Sequence, residues 1–275
     1  MRNKDIGKGI HIGVFDSGVG GLSVWKEMLK LIPDAHYTYV SDAAHCPYGP
    51  RSAEYIIDRA RTITKFLMDA GADAIVVACN TATAAAIETL RREFDIPFVG
   101  MEPAVKPAVI DSASGVIGVL ATKGTFNGRL YNNTLRKYAS DVKVLEQVGE
   151  GLVELVENGN CEGEEANLLL RRYIAPMLKE GADHIVLGCT HYPFLIKEIK
   201  NITGGGVVIV DPAPAVAKHL SDIISEQFVA CEENRREALA DSTDFYSTGD
   251  IRTLKALARS IIPEISDSKF LLVEI

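Results

Sequence analysis

Gly71-Ala72-Asp73-Ala74-Ile75-Val76-Val77-Ala78-Cys79-Asn80-Thr81 decides how this chain is read. Its apolar, β-branched run from Ala74 to Ala78 predicts a buried strand. The run stops at Cys79. Asn80 and Thr81 can each cap, which predicts an Ala-rich helix from about Ala82. Cys79 is therefore expected at the carboxyl end of a strand and the amino end of a helix, where open α/β sheets bind ligands. The helix field at that point predicts a thiol that ionises more readily than a free one.

Gly181-Ala182-Asp183-His184-Ile185-Val186-Leu187-Gly188-Cys189-Thr190-His191 echoes this stretch, with cysteine again at its end, 189 − 79 = 110 residues on. Ile12-Gly13-Val14-Phe15-Asp16-Ser17 aligns in the same way with Ile117-Gly118-Val119-Leu120-Ala121-Thr122, an offset of 117 − 12 = 105. One match would be ordinary αβ-loop grammar. Two matches in the same order, with similar offsets, point to a duplicated α/β unit and not to a short solenoid repeat.

The 275 residues suffice for one large domain or two of ordinary size, and 47% hydrophobic content is normal for a globular α/β chain. A net charge of −8, with no Lys/Arg-rich run, disfavours nucleic acid and anionic membrane as partners. The polar start and the lack of a long apolar stretch lead to the expectation of a cytoplasmic protein without a membrane span. Five cysteines, Cys46, Cys79, Cys161, Cys189 and Cys231, with no C-x-x-C, fit neither a disulfide framework nor a zinc ribbon. Cys161 and Cys231 read as small buried hydrophobes. Cys46 is open to either reading, lying in a polar loop beside Pro47-Tyr48-Gly49.

Strands are expected over 10–15, 36–41, 74–78, 96–100, 116–120, 142–147, 184–188, 207–210, 244–247 and 270–273, alternating with helices. The fold class is thus α/β, as two pseudo-symmetric lobes of mainly parallel sheet flanked by helices, with the active site in the cleft between them. Met101 to Asp111 and Asp211-Pro212-Ala213-Pro214 read as crossovers. The segment after residue 212 has no counterpart in the second repeat and is expected to return to the first lobe. The lobes are then 1–102 with 213–275, and 103–212.

Asp16-Ser17-Gly18-Val19-Gly20-Gly21 is not a dinucleotide loop, because Ser23 stands where the last glycine of G-x-G-x-x-G belongs. It reads as a tight turn presenting Asp16 and Ser17 at a strand end, or as a plain Asx turn and cap. Cys189-Thr190-His191 offers a thiol and an imidazole. A zinc site there lacks two ligands at sensible spacing. A Cys–His hydrolase dyad leaves Cys79 idle, and a redox pair requires the cysteines to meet.

Together, Phe15-Asp16-Ser17-Gly18-Val19-Gly20-Gly21, Pro47-Tyr48-Gly49, Ala78-Cys79-Asn80-Thr81-Ala82, Gly188-Cys189-Thr190-His191-Tyr192-Pro193 and Ser247-Thr248-Gly249-Asp250 resemble the glutamate racemases of the cofactor-independent aspartate/glutamate racemase superfamily. The resemblance spans nearly the whole chain. It implies Cys79 and Cys189 as acid/base thiols, Asp16 and His191 as their helpers, and Glu157 as an acid supporting the histidine. It implies Asp16, Ser17, Tyr48, Gly49, Asn80, Thr81, Thr122, Thr190 and His191 around the substrate. It further implies L- and D-glutamate as substrates, D-glutamate for peptidoglycan as the product's use, a homodimer, and no cofactor or metal. In one departure, Gly149-Glu150 occupies the place where the family commonly has Cys-Pro.

Two thiols suit a racemase because inversion takes a proton from one face of a carbon and delivers one to the other. The weakly acidic α-carbon also requires neutral donors aimed at the carboxylate in a water-poor cleft, a role open to Asn80, Thr81, Thr190 and Ser17. The alternatives are a racemase of aspartate or another small acidic amino acid and, more distantly, an amino-acid-binding protein.

Overall fold

The two Gly-Ala-Asp turns open equivalent strands. Gly71 and Gly181 have φ of +96° and +86°, a region that favours glycine, and each follows the end of a helix. The aspartates then tie each turn to the start of a neighbouring strand or to the loop before it. The Asp73 carboxylate accepts from the backbone of His11 at 2.9 Å. The Asp183 carboxylate accepts from the backbones of Ala113 and Ser114, both at 2.7 Å. The repeat is thus built into the turns as well as into the apolar run.

The computed structural model describes residues 9–227 and 242–275, so Cys231 lies outside the described residues. The first sheet contains β1 (His11–Asp16), β2 (His36–Ser41), β3 (Ala74–Val77), β4 (Phe98–Gly100) and two late strands, β9 (Thr243–Ser247) and β10 (Phe270–Leu272). Its order is β10-β9-β2-β1-β3-β4, with parallel pairing throughout. The second contains β5 (Val116–Ala121), β6 (Lys143–Val148), β7 (His184–Gly188) and β8 (Val208–Val210), all parallel, in the order β6-β5-β7-β8. That order repeats β2-β1-β3-β4. The register repeats too: Ile12 pairs with Ala74, and Ile117 pairs with His184. The strands after residue 212 join the first sheet, as the sequence led one to expect.

Alternate side chains leave opposite faces of each strand. Val14 and Val76 enter a core with α1 (Leu22–Leu31) and α10 (Ala213–Gln227), while Phe15, Ile75 and Val77 face α2 (Ala53–Asp69) and α3 (Asn80–Glu93). In the second sheet, Ile185 and Leu187 face α7 (Leu152–Glu157), α8 (Glu164–Lys179) and α9 (Ile196–Thr203). Ile117, Val119 and Val186 face α4 (Val105–Asp111) and α6 (Arg129–Tyr138). The largest core runs without a break from Val19 and Leu22 to Val153 and Leu187. Each fully buried aliphatic side chain in it is worth about 1.5–3 kcal/mol. The Arg129–Glu88 ion pair between α6 and α3 is well exposed and contributes little beside it.

Four local features depart from plain alternation of strand and helix. The crossover at 101–111 contains α4, because Pro107 falls in its first turn, where a missing N–H costs nothing. The helical stretch after β5 is divided at Gly128 into α5 (Lys123–Phe126) and α6. Pro193 lies in a 3₁₀ turn, Tyr192–Leu195, that precedes α9. Gly204–Gly206 is a 3₁₀ turn as well.

Candidate active site

Cys79 and Cys189 follow β3 and β7, so they come from different sheets. Both are buried, and both line one cavity of about 260 Å³ of empty space. Ser17, Tyr48, Gly49, Asn80, Thr81, Thr122, Thr190 and His191 also line it. Asp16 and Glu157 stand behind this wall. Pro47 and Val153 complete it, and the sequence did not single either out as a wall residue.

Cys79 itself caps α3, one position earlier than expected: its Sγ accepts from the Ala82 backbone at 3.5 Å. The thiol donates to Ser17 Oγ at 3.8 Å, and Ser17 in turn donates to Asp16 Oδ1 at 3.4 Å. The other Asp16 oxygen accepts from the Gly21 backbone at 2.9 Å. Burial pushes the Asp16 carboxyl above its ordinary value despite His191 nearby. Burial also pushes the Cys79 thiol well up, and Asp16 adds to it. The Ala82 N–H works the other way and is outweighed. The expectation of an easily ionised Cys79 is therefore corrected, because desolvation wins over the helix terminus.

Around Cys189 the chemistry differs. Its Sγ lies 3.7 Å from His191 Nδ1, and His191 Nε2 lies 2.6 Å from Glu157 Oε1. Burial alone would lower the His191 pKa, but contacts with Cys189, Cys46, Glu157 and Asp16 hold it well above its ordinary value. Burial likewise opposes the Glu157 charge, and His191 overcomes it, so that carboxyl lies below its ordinary value. The pair is thus an imidazolium and a carboxylate. Glu157 ends α7, and its Oε1 also accepts from the Val19 backbone at 2.8 Å. Gly149-Glu150 therefore still delivers this acid to the histidine.

The glycine-rich turn after β1 makes room for that pair. A Cβ on Gly18 would fall 1.8 Å from Glu157 Oε1, and one on Gly20 would fall 2.3 Å from His191 Nδ1. These glycines accommodate side chains from beside the other sheet, not a phosphate.

Two buried cavity-wall atoms, Asn80 Oδ1 and Thr190 Oγ1, have no hydrogen-bond partner. Such atoms are costly unless something pairs with them. Thr81 and Thr122 meet across the cavity mouth, Oγ1 to Oγ1, at 2.9 Å. Tyr48 presents its ring, because its hydroxyl donates to Asp42 Oδ2 at 2.5 Å. Asp42 is fully buried and also accepts from Arg59 Nη2 at 2.8 Å and from Thr248 Oγ1 at 2.9 Å.

Against known proteins, the family described as Asp/Glu/Hydantoin racemase matches residues 12–220. The chain belongs to it. A curated glutamate racemase of Ectopseudomonas mendocina is 44% identical over 254 residues, 92% of this chain and 95% of that protein. An Escherichia coli glutamate racemase solved with L-glutamate and the activator UDP-MurNAc-ala superposes with a TM-score of 0.82, at 30% identity over 96% of this chain and 98% of that one. A Francisella tularensis glutamate racemase solved with D-glutamate gives 0.80, at 26% identity over 96% and 97%.

In this racemase-family chain, the Asp42 hub is what sequence reasoning missed. Ser247-Thr248-Gly249-Asp250 was the available signal: it matched the family but suggested no role until Thr248 was seen to reach Asp42. The second miss is Cys46. Half-buried, it lies with Glu157 and His191 in one cluster, donor atoms within 4.8 Å of one another.

Proposed function

We propose that this chain interconverts L- and D-glutamate by moving the α-proton between Cys79 and Cys189. The observation that carries the reading is two buried thiols, at equivalent strand ends of two repeated sheets, lining one small cavity. Each sulfur serves one face of the α-carbon. Cys189 removes the proton from L-glutamate while Cys79 delivers one to the opposite face, and the roles reverse for D-glutamate.

Asp16 and Ser17 position Cys79 and relay its proton. His191, held by Glu157, hydrogen-bonds and orients Cys189 as that sulfur takes the proton. Asn80, Thr81, Thr122 and Thr190 meet the substrate's carboxylates and amino group, and the two unpaired wall atoms are the support for that assignment. Ser17, Tyr48 and Gly49 close the remaining side. In a nearly dry site such donors stabilise the carbanion-like transition state more than they would in water. The reaction so drawn uses only the chain's own groups.

Residues 1–102 with 213–275 form one lobe in this reading and 103–212 the other, with the substrate between them. The further context is cytoplasmic, with D-glutamate supplied to peptidoglycan by a homodimer. Among the described residues no helix is long and apolar enough to cross a membrane. The test is circular dichroism of L-glutamate with purified protein and no added cofactor. Decay of the signal to zero, with L-aspartate left unchanged, is the expected result. A stable glutamate signal overturns the reading, and faster decay of aspartate moves it to another acidic substrate.

A further inference from the structure

Cys46 has no part in the proton transfer just described, yet it stands beside the pair that serves Cys189. Among the described residues, Cys46, Glu157 and His191 are the group of three whose ligand atoms lie within 4.8 Å of one another. The sequence hides it, because the three positions are 111 and 34 residues apart, counted from 46 to 157 and from 157 to 191. We propose that these three side chains form a regulatory site for a thiophilic divalent cation of the zinc class. The inference rests on the proposed function, in that His191 must serve Cys189 for the ion to matter.

The donor set suits such an ion: one sulfur, one imidazole nitrogen and one carboxylate oxygen, with a fourth position left to water. Zinc bonds of about 2.3 Å to sulfur and about 2.0–2.1 Å to nitrogen put those atoms about 3.6 Å apart in a tetrahedron. The cluster lies within an ångström or so of that. The 2.6 Å contact between His191 Nε2 and Glu157 must open to roughly 3.4 Å, which a carboxylate hinged at the end of α7 can do. Gly18 lets Cys46 and Glu157 come together, since a Cβ there would lie 3.1 Å from Cys46 Sγ and 1.8 Å from Glu157 Oε1. Cys46 and Glu157 are half-buried, and they give an ion its way in.

Binding replaces the Cys46 S–H bond and the His191 Nε2–H bond with bonds to the metal. Both protons pass to solvent, as metal binding by such ligands generally requires. His191 is left as a neutral ring with its remaining proton on Nδ1, and the ion breaks its bond to Glu157. The cation thereby removes the charged helper of Cys189 without touching either reacting thiol, and racemisation stops.

The experiment uses Co²⁺ as a spectroscopic probe and Zn²⁺ as the inhibitor, with the full chain. The wild type is expected to bind one Co²⁺ with a thiolate-to-cobalt charge-transfer band. That band should survive in a Cys79→Ala/Cys189→Ala double variant and be lost in Cys46→Val. Cys46→Val should still racemise in chelator, keep its far-ultraviolet dichroism, and show the same rate with and without the Zn²⁺ that inhibits the wild type. No band in the wild type overturns the proposal. So does a band that vanishes with Cys79 and Cys189 but persists in Cys46→Val, which would assign the metal to the reacting thiols. Absence of racemisation in chelator, with the Cys46-dependent band present, instead defeats the functional reading and leaves the metal site standing.

Discussion

The two cysteines occupy matching positions in two copies of one unit, and their surroundings are unlike. Cys79 caps a fourteen-residue helix and is backed by a hydroxyl and a buried carboxyl pushed towards its neutral form. Cys189 precedes a 3₁₀ turn and is backed by an imidazolium held by a carboxylate. The repeated sheets place one sulfur at each of two equivalent strand ends. The residues behind each sulfur differ: a hydroxyl and a carboxyl on one side, an imidazole and a carboxyl on the other. A symmetric backbone therefore carries two buried thiols in asymmetric surroundings.

The most direct way to break the comparison is to remove each sulfur. Cys79→Ser and Cys189→Ser should each lower racemisation by roughly 10²–10⁴-fold, the usual reach of acid–base catalysis. An analogue with a leaving group beside the α-carbon needs only one base to eliminate. Cys79→Ser should still eliminate from the L-analogue and Cys189→Ser from the D-analogue. Retention of the same enantiomer by both variants would end the two-base assignment.

The helpers come next. Asp16→Asn and His191→Asn should lower kcat by about tenfold to a hundredfold, unequally in the two directions. The ratio of kcat/KM values is fixed by the equilibrium constant, so progress curves from each enantiomer must be fitted for kcat. Equal losses in both directions would reduce these residues to simple binding roles.

Smaller effects fall on the cavity wall. Ser17→Ala removes a hydroxyl from the Cys79 side and should cost kcat/KM about tenfold, near the low end for a hydrogen bond to a charged group. Tyr48→Phe should cost less, because the lost hydroxyl served Asp42, which keeps Arg59 and Thr248. If Tyr48→Phe proves the more damaging, that hydroxyl turns to substrate in the working state.

The last comparison is of stability against pH. His191 has a folded pKa above its unfolded value near 6.5. Its contribution is complete below pH 6.5 and is lost as pH rises towards the folded value. Glu157, held below its ordinary value of 4.5, contributes above that pH and loses its contribution on acidification. Above about pH 6.5, His191→Asn should flatten the fall in stability by up to about 1.4 kcal/mol per pH unit. Denaturant titrations at several pH values measure this, and identical slopes in variant and wild type would show that His191 is not held protonated.

Much of this architecture was legible because the fold repeats local grammar. Gly71 and Gly181, Asp73 and Asp183, and the apolar runs after them are short-range patterns, and strands follow them at equivalent places in the two sheets. Asp16, Ser17, Cys79 and Cys189 followed from strand ends. Other features were not local. The Val19–Glu157 and Asp42–Thr248 bonds join residues 138 and 206 positions apart, beyond any spacing rule. The Cys79 thiol was misjudged for a related reason: the helix start is written in the sequence, whereas the depth of burial that outweighs it is a property of the packed whole. The match to the family named Glu157, but only the structure shows what it holds.

The six-stranded sheet also fixes an order of events in synthesis. β9 pairs with β2 across roughly two hundred residues, and the intervening four-stranded sheet is contiguous in the chain. At about 5–20 residues per second, a ribosome leaves the β2 edge without its partner for about 10–40 seconds, while the middle of the chain already has all its strands. The sole tryptophan is placed to time the closure. Trp25 Nε1 donates to Thr243 Oγ1 at 3.1 Å, and its ring meets Phe245 edge-on at 5.2 Å, so its fluorescence should change when β9 docks.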